Sequence, residues 1–400
     1  MAERRFVGAV LVPALLVVGG PVAAAAPADR CASASVRTTP ELPWSQARLD
    51  PQRAWDLTQG EGQTVAVVDS GVDGTVPQLA GGVLRGADVV GDSGRGDTDC
   101  VGHGTFVAGI IAARPVAELR FAGVAPGARI LPVRQTTDGA DGTADGMARA
   151  IRRAVDAGAG VINVSVNSPT RSRLLDEAVR HALAGDVLIV SSAGNTDGAE
   201  GGASGAVSFP AGYPGVLAVA AVGRDDRPAP FSASGEFVDI AAPGVDILSL
   251  GTGGPGHRVD QGTSFAAPFV AGTAALVRAR HPRLTVEQVI HRIQVTADHP
   301  AAELPEPGVG WGIVNPFEAV TAVVPGEAPA RVSPPGRTPS PVAEATPPDA
   351  SGGAAAEPGA RGVLPLLLGV MGLTAAAVLA LTLARRRALR TRHGRWRTGR

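Results

Sequence analysis

From about residue 61 to residue 323, short runs of aliphatic and β-branched residues alternate with longer stretches whose apolar positions recur at helical spacing. TVAVVD (64–69), VINVSV (161–166), DVLIVSSAG (186–194) and GVLAVAAVG (215–223) have strand length and strand composition. They are apolar without alternation, as strands covered on both faces are, so the sheet is expected to be mostly parallel. GTFVAGIIAA (104–113), GTADGMARAIRRAVDAG (142–158) and SRLLDEAVRHALAG (172–185) read as helices. This alternation predicts an α/β fold, a mostly parallel central sheet with helices on both faces.

The pattern changes at either end. Residues 324–362 are rich in Pro, Ala and Ser with almost no large apolar side chains, too little to offset the entropy of folding, and read as a disordered linker. In an extended polyproline conformation such a tether reaches up to about 100 Å. Residues 363–384, VLPLLLGVMGLTAAAVLALTLA, carry no charge and are long enough to cross a hydrocarbon core of about 30 Å. The arginines of 385–400 are expected to hold that tail in the cytoplasm, which leaves everything before Val363 outside. Nucleic-acid binding is the competing reading of those arginines, and their adjacency to the apolar segment favours topology. At the amino end, Arg4 and Arg5 precede an apolar run and the small residues Ala25 to Ala28, the layout of a signal peptide over 1–28. A retained anchor is the alternative. Residues 29–60 form an extension ahead of the domain read at 61–323.

Composition narrows the function classes. A formal net charge of −1 and an aromatic content of 4% provide neither a basic surface nor stacking residues, which argues against nucleic acid as a partner. Cys31 and Cys100 are the two cysteines; in an exported chain an isolated pair is most simply one disulfide, with two free thiols as the alternative. Asp73, Asp92, Asp97 and Asp99 offer loop carboxylates, but without EF-hand spacing they read as solvated turns, and no metal or other cofactor is implied. His181, His257, His281, His291 and His299 read as ordinary surface or packing residues.

Four short motifs carry chemistry. TVAVVDSGVD ends an apolar strand on Asp69, at the strand end where ligands and catalytic groups collect in open α/β sheets. GHGT sets His103 between glycines at a helix start, with no HxxxH, HxxE or cysteine cluster to suggest a metal. SSAGN brings Asn195 out of a strand, either as a plain turn residue or as an amide donor. QGTSFAAP places Ser264 where a small-residue helix begins, a position that a capping hydroxyl would also favour. Read together they supply a nucleophile, a base, an orienting carboxylate and an oxyanion donor.

In the order Asp, His, Asn, Ser, these motifs resemble those of the subtilisin-like serine proteases, over roughly 61–323 and including GVGWGIVNPFEAV. The resemblance implies a serine endopeptidase with Ser264 as nucleophile, His103 as base, Asp69 as orienter and Asn195 with the Ser264 N–H as oxyanion donors. It also implies that Ser165, Val166 and Asn167 line the substrate cleft and pair with an extended peptide. The sequence departs from the family at Asn167, where a glycine usually stands, and has too few residues before the first strand for a folded inhibitory pro-segment.

A signal peptide, a short bonded extension, a subtilase domain, a proline-rich tether and a terminal span are together similar to the mycosins, membrane-anchored subtilases of type VII secretion systems. That likeness implies polypeptide substrates, a single membrane span and type VII secretion membrane components as partners. The alternative is a mainly structural subunit that stabilises a membrane secretion complex, with proteolysis secondary or absent.

Overall fold

The computed structural model describes residues 31–91, 94–137, 143–196 and 207–327. Within them β1 (Thr64–Asp69) is buried from Val65 onward on both faces. It is the third strand of a seven-stranded sheet with β2 (Ala87–Asp88), β3 (Arg129–Arg134), β4 (Val161–Val164), β5 (Leu188–Ser192), β6 (Leu217–Val222) and β7 (Ile240–Pro243). The order is β2-β3-β1-β4-β5-β6-β7 and every pairing is parallel. An antiparallel hairpin, β8 (Ile247–Leu250) and β9 (His257–Asp260), stands apart from it. The signal peptide read at 1–28 and the span read at 363–384 lie outside the described residues, and no helix among the described residues is long and apolar enough to cross a membrane.

Successive residues of β1 serve opposite cores. Val65 and Val67 pack in the cluster that holds Phe106 and Ile110 of α2 (His103–Ala112) and Phe269 and Val270 of α5 (Thr263–Arg280). Ala66 and Val68 pack in the cluster that holds Met147 and Ile151 of α3 (Ala144–Asp156) and Leu175 and Val179 of α4 (Arg173–Ala184). Burying one such valine contributes about 1.5–3 kcal/mol, so both faces are driven closed. α5 is apolar on every side and buried from Phe265 to Val277, as a helix running under a sheet must be.

Strand β3 has no counterpart among the sequence-predicted strands. Arg129 and Arg134 bound it and Pro132 interrupts it, a residue that withholds one ladder donor. It sits second from the edge, where its outer neighbour β2 pairs only with Val133 and Arg134.

The amino-terminal residues 31–60 lie across the domain. Cys31 is bonded to Cys100, and the Ala32 N–H donates to the Cys100 carbonyl at 2.7 Å. Ser35 and Arg37 pair with Thr252, Gly256 and His257 around the hairpin, and His257 Nδ1 accepts from the Thr39 N–H at 3.0 Å. Beyond it α1 (Trp44–Leu49) is fixed by the Trp44 indole donating to the Val245 carbonyl and by Arg48, which pairs with Asp226 and Asp298. α6 (Val286–Val295) and α7 (Pro316–Thr321) complete the body beside the far end of α5.

Candidate active site

The carboxyl ends of β1, β4 and β5 open at one edge of the sheet, where α2 and α5 also begin. Asp69, the last residue of β1, is fully buried, and its Oδ1 accepts from the Ser70 N–H at 2.7 Å. His103 opens α2, and its Nδ1 lies 2.7 Å and 2.9 Å from the two Asp69 oxygens. That approach needs Gly104: a Cβ there would lie 2.0 Å from the Gly71 carbonyl oxygen and 3.1 Å from Asp69 Cβ, so any side chain would push the helix start off the strand end.

Burial pushes the His103 imidazole down. The charge and hydrogen bond of Asp69, aided by the more distant Asp99 and Asp260 carboxylates, outweigh it, and the net direction is up from 6.5.

A second carboxylate secures this arrangement. Asp99 Oδ1 accepts from Ser70 Oγ at 2.9 Å and from the Val101 and Gly102 N–H groups, and Oδ2 accepts from the Thr105 N–H and hydroxyl. It binds the first turn of α2 to the end of β1 and so fixes where His103 stands. The reading of Asp99 as a solvated turn residue is corrected here: it is buried, and donors from its own chain occupy both of its oxygens. Asp73 is likewise engaged, by Thr75, Thr252 and the Gly253 N–H. Asp97 is paired with Arg95, and Asp92 lies outside the described residues. Among the described residues no group of three or more His, Cys, Asp or Glu is placed to hold a metal ion. The signal for Asp99 in the sequence was its place four residues before His103; its partner Ser70 is distant and gave none.

Ser264 lies on the first turn of α5. Gly262, ahead of it, has φ +153° and ψ 159°, a region open in practice to glycine, and α5 has no side-chain cap of its own. The Asn195 side chain meets this turn from outside: its Oδ1 accepts from the Thr263 N–H at 3.0 Å and the Thr263 hydroxyl at 2.9 Å. Its Nδ2 lies over Gly262, 3.4 Å from where a Cβ would stand, and Asn195 is exposed to the cleft. Pro268, four residues after Ser264, has no N–H for the Ser264 carbonyl, which accepts from Ser165 Oγ at 2.8 Å instead.

The structure therefore brings Asp69 and His103 into direct contact and sets Asn195 and Ser165 against the Ser264 turn. His103 and Ser264 are linked through Phe265, whose ring centroid is 5.0 Å from the imidazole, and no Oγ to Nε2 hydrogen bond joins them. Such bonds are often long without substrate and tighten in the complex. Val166 is buried and Asn167 half-buried in the segment that continues β4 past the ladder. A serine at a helix start, followed by a ring that meets a carboxylate-held imidazole and set beside an amide whose Nδ2 is unengaged, is an arrangement fitted to acyl transfer.

A match to the subtilase family spans residues 60–312. The chain belongs to the subtilase family. It is 37% identical over 360 residues to Mycosin-1 of Mycobacterium tuberculosis (strain ATCC 25618 / H37Rv), covering 76% of this chain and 79% of that protein. It is 40% identical over 315 residues to Mycosin-4 of the same strain, covering 68% of each. Among solved structures, the MycP3 protease from the type VII (ESX-3) secretion system matches at 37% identity and a TM-score of 0.66, over 74% of this chain and 93% of that one. The subtilase is thus a subtilisin-like serine endopeptidase of the mycosin type.

Proposed function

We propose that this subtilase is an extracytoplasmic endopeptidase, held to the membrane by the span read at 363–384, that cleaves polypeptides handled by a type VII secretion system. Ser264 Oγ attacks the scissile carbonyl while His103 Nε2 takes its proton. Asp69 holds Nδ1 and stabilises the imidazolium. The oxyanion forms against Asn195 Nδ2 and the Ser264 N–H, where the positive end of α5 adds to the field. His103 then protonates the leaving amine, and a water molecule, deprotonated by the same imidazole, releases the acyl group from Ser264. The observation that carries this reading is the Asp69–His103 contact at 2.7 Å, facing the helix start that Asn195 brackets.

One experiment tests chemistry and placement together. Intact cells are treated with a membrane-impermeant fluorophosphonate probe. The wild-type chain is expected to be labelled and Ser264→Ala not. Labelling of the alanine variant at the wild-type rate would remove the catalytic assignment, and labelling of the wild type only after lysis would remove the extracytoplasmic placement.

A further inference from the structure

Two wall segments leave the sheet next to the reacting groups. Residues 165–167 continue β4 and 193–195 continue its parallel neighbour β5, whose register pairs Val164 with Ser191. The crevice between them has Ser264 at one side, through the Ser165 Oγ bond to its carbonyl, and Asn195 at the other. On the protease reading above, the attacked carbonyl lies between Ser264 and Asn195, which brings the side chain of its residue, P1, to this crevice.

That crevice is spanned by hydrogen bonds. Asn167 Nδ2 donates across it to the Ser192 carbonyl at 2.7 Å and to Ser208 Oγ at 2.7 Å, and Asn167 Oδ1 accepts from Ser192 Oγ. Ser208 Oγ in turn donates to the Ala193 carbonyl at 2.7 Å. Ser208 is fixed from behind, because Phe209 and Ser168 exchange both backbone hydrogen bonds at 2.9 Å. On the opposite wall Gly194 leaves room for little, since a Cβ there would already be 2.9 Å from Ser208 Oγ. The Asn167 carboxamide is thus a crossbar with both N–H bonds and its oxygen engaged, and the Ser208 hydroxyl is the floor beneath it.

We propose that Asn167, with Ser192 and Ser208, is a specificity-determining group that closes the P1 pocket to all but small side chains such as those of Gly, Ala and Ser. A bulky apolar side chain would have to break the crossbar and leave its donors and acceptors without partners, a mismatch that polar sites reject far more strongly than a change in hydrophobic size. A glycine at 167 would remove the crossbar and leave Ser208 alone. This inference rests on the protease reading above.

The test is a series of peptide p-nitroanilides that differ in P1 alone, with labelling by a small fluorophosphonate run in parallel. For the wild type, kcat/KM is expected to be at least about 100-fold higher with Ala than with Phe at P1, the scale on which such pockets discriminate. Asn167→Gly should raise the Phe-to-Ala ratio of kcat/KM by about 10-fold or more. Ser208→Gly, which removes the floor hydroxyl alone, should shift the ratio the same way by less and serves if the first variant does not fold. A wild type that labels yet prefers Phe, or a ratio unmoved in the folded variants, overturns the crossbar and leaves the protease standing. A wild type that does not label overturns both.

Discussion

Helix α5 has two unlike ends. At its amino end the first turn is left open. Gly262 provides no side-chain cap, Pro268 provides no donor to the Ser264 carbonyl, and the groups that fill in, Asn195 and Ser165, come from the segments that follow β5 and β4. At its carboxyl end, about 27 Å away by helix rise, polar groups are closed off. Arg292 of α6 is buried and gives all three of its nitrogens to partners: the Glu327 carboxylate and the Ala319 and Ala322 carbonyls. There His281 Nε2 meets the Val320 carbonyl at 2.9 Å, and α6 starts with a reciprocal capping box between Thr285 and Gln288. One end stores unspent donors for a ligand; the other uses nearly all of them for stability.

The largest separation of the two ends is expected from Asp69→Asn. Losing the orienting carboxylate of such a triad lowers kcat about 10⁴-fold, with only a modest effect on melting. The pH profile sharpens the assignment. His103 accepts a proton only when neutral, so activity falls as pH drops through its raised pKa, and the acid limb of kcat/KM should lie above 6.5. In the variant the residual activity should have its acid limb moved down. In stability the sign is reversed. A histidine raised by its partner contributes stability that is fully present below its unfolded value and lost as pH climbs through the folded one. An acid limb that stays in place in Asp69→Asn would contradict the electrostatic role given to Asp69.

Arg292→Met attacks the other end. It leaves the Glu327 carboxylate buried without a partner, and breaking a buried pair in this way costs about 3–5 kcal/mol. Denaturant unfolding should show that loss, while kcat/KM measured on folded protein stays within about 2-fold. Removing both charges, as Arg292→Met with Glu327→Leu, should recover most of the stability, because the apolar pair incurs no desolvation cost. A double variant as unstable as the single one would mean that the two carbonyl contacts, rather than the ion pair, hold this corner.

The site end was more legible in the sequence than the stable end, for a physical reason. Asp69, His103, Asn195 and Ser264 each stand beside glycine or another small residue, because backbones must approach closely there. Gly104 against Gly71 is the clearest case. Close approach leaves a local mark. The Arg292–Glu327 pair leaves none, since the partners are 35 residues apart in segments with no common pattern. The crossbar was half visible: Asn167 stood out where a glycine is usual, but its partners Ser192 and Ser208 come from a separate strand and loop. In the fold, continuous apolar runs gave β1, β4, β5 and β6. β3 was hidden by Pro132, and β7 by its four-residue length and small side chains.

The smallest expected effect lies at the amino edge of the sheet, away from the cleft. Asp239 precedes β7, and its Oδ2 accepts from the Ala218 N–H at 2.8 Å, while burial pushes its pKa up to about 6. A carboxyl raised in the fold binds its proton more tightly there than in the unfolded chain. Stability is therefore lost as pH rises from about 4 through about 6, and the whole cost is present at neutral pH. The group is half-buried, so that cost is on the order of 1 kcal/mol once solvent screening is allowed for. Asp239→Asn keeps an acceptor for Ala218 and removes the charge. Gln294, whose Nε2 faces Oδ1 at 3.3 Å, can turn its amide to present an oxygen to the new NH₂. The variant should melt about 2–4 °C higher than the wild type at pH 7.5 and no higher at pH 4, with catalysis unaltered. A variant that melts lower at pH 7.5 would show that this edge gains from the carboxylate, and that the contrast between an open functional end and a closed stable one does not extend to Asp239.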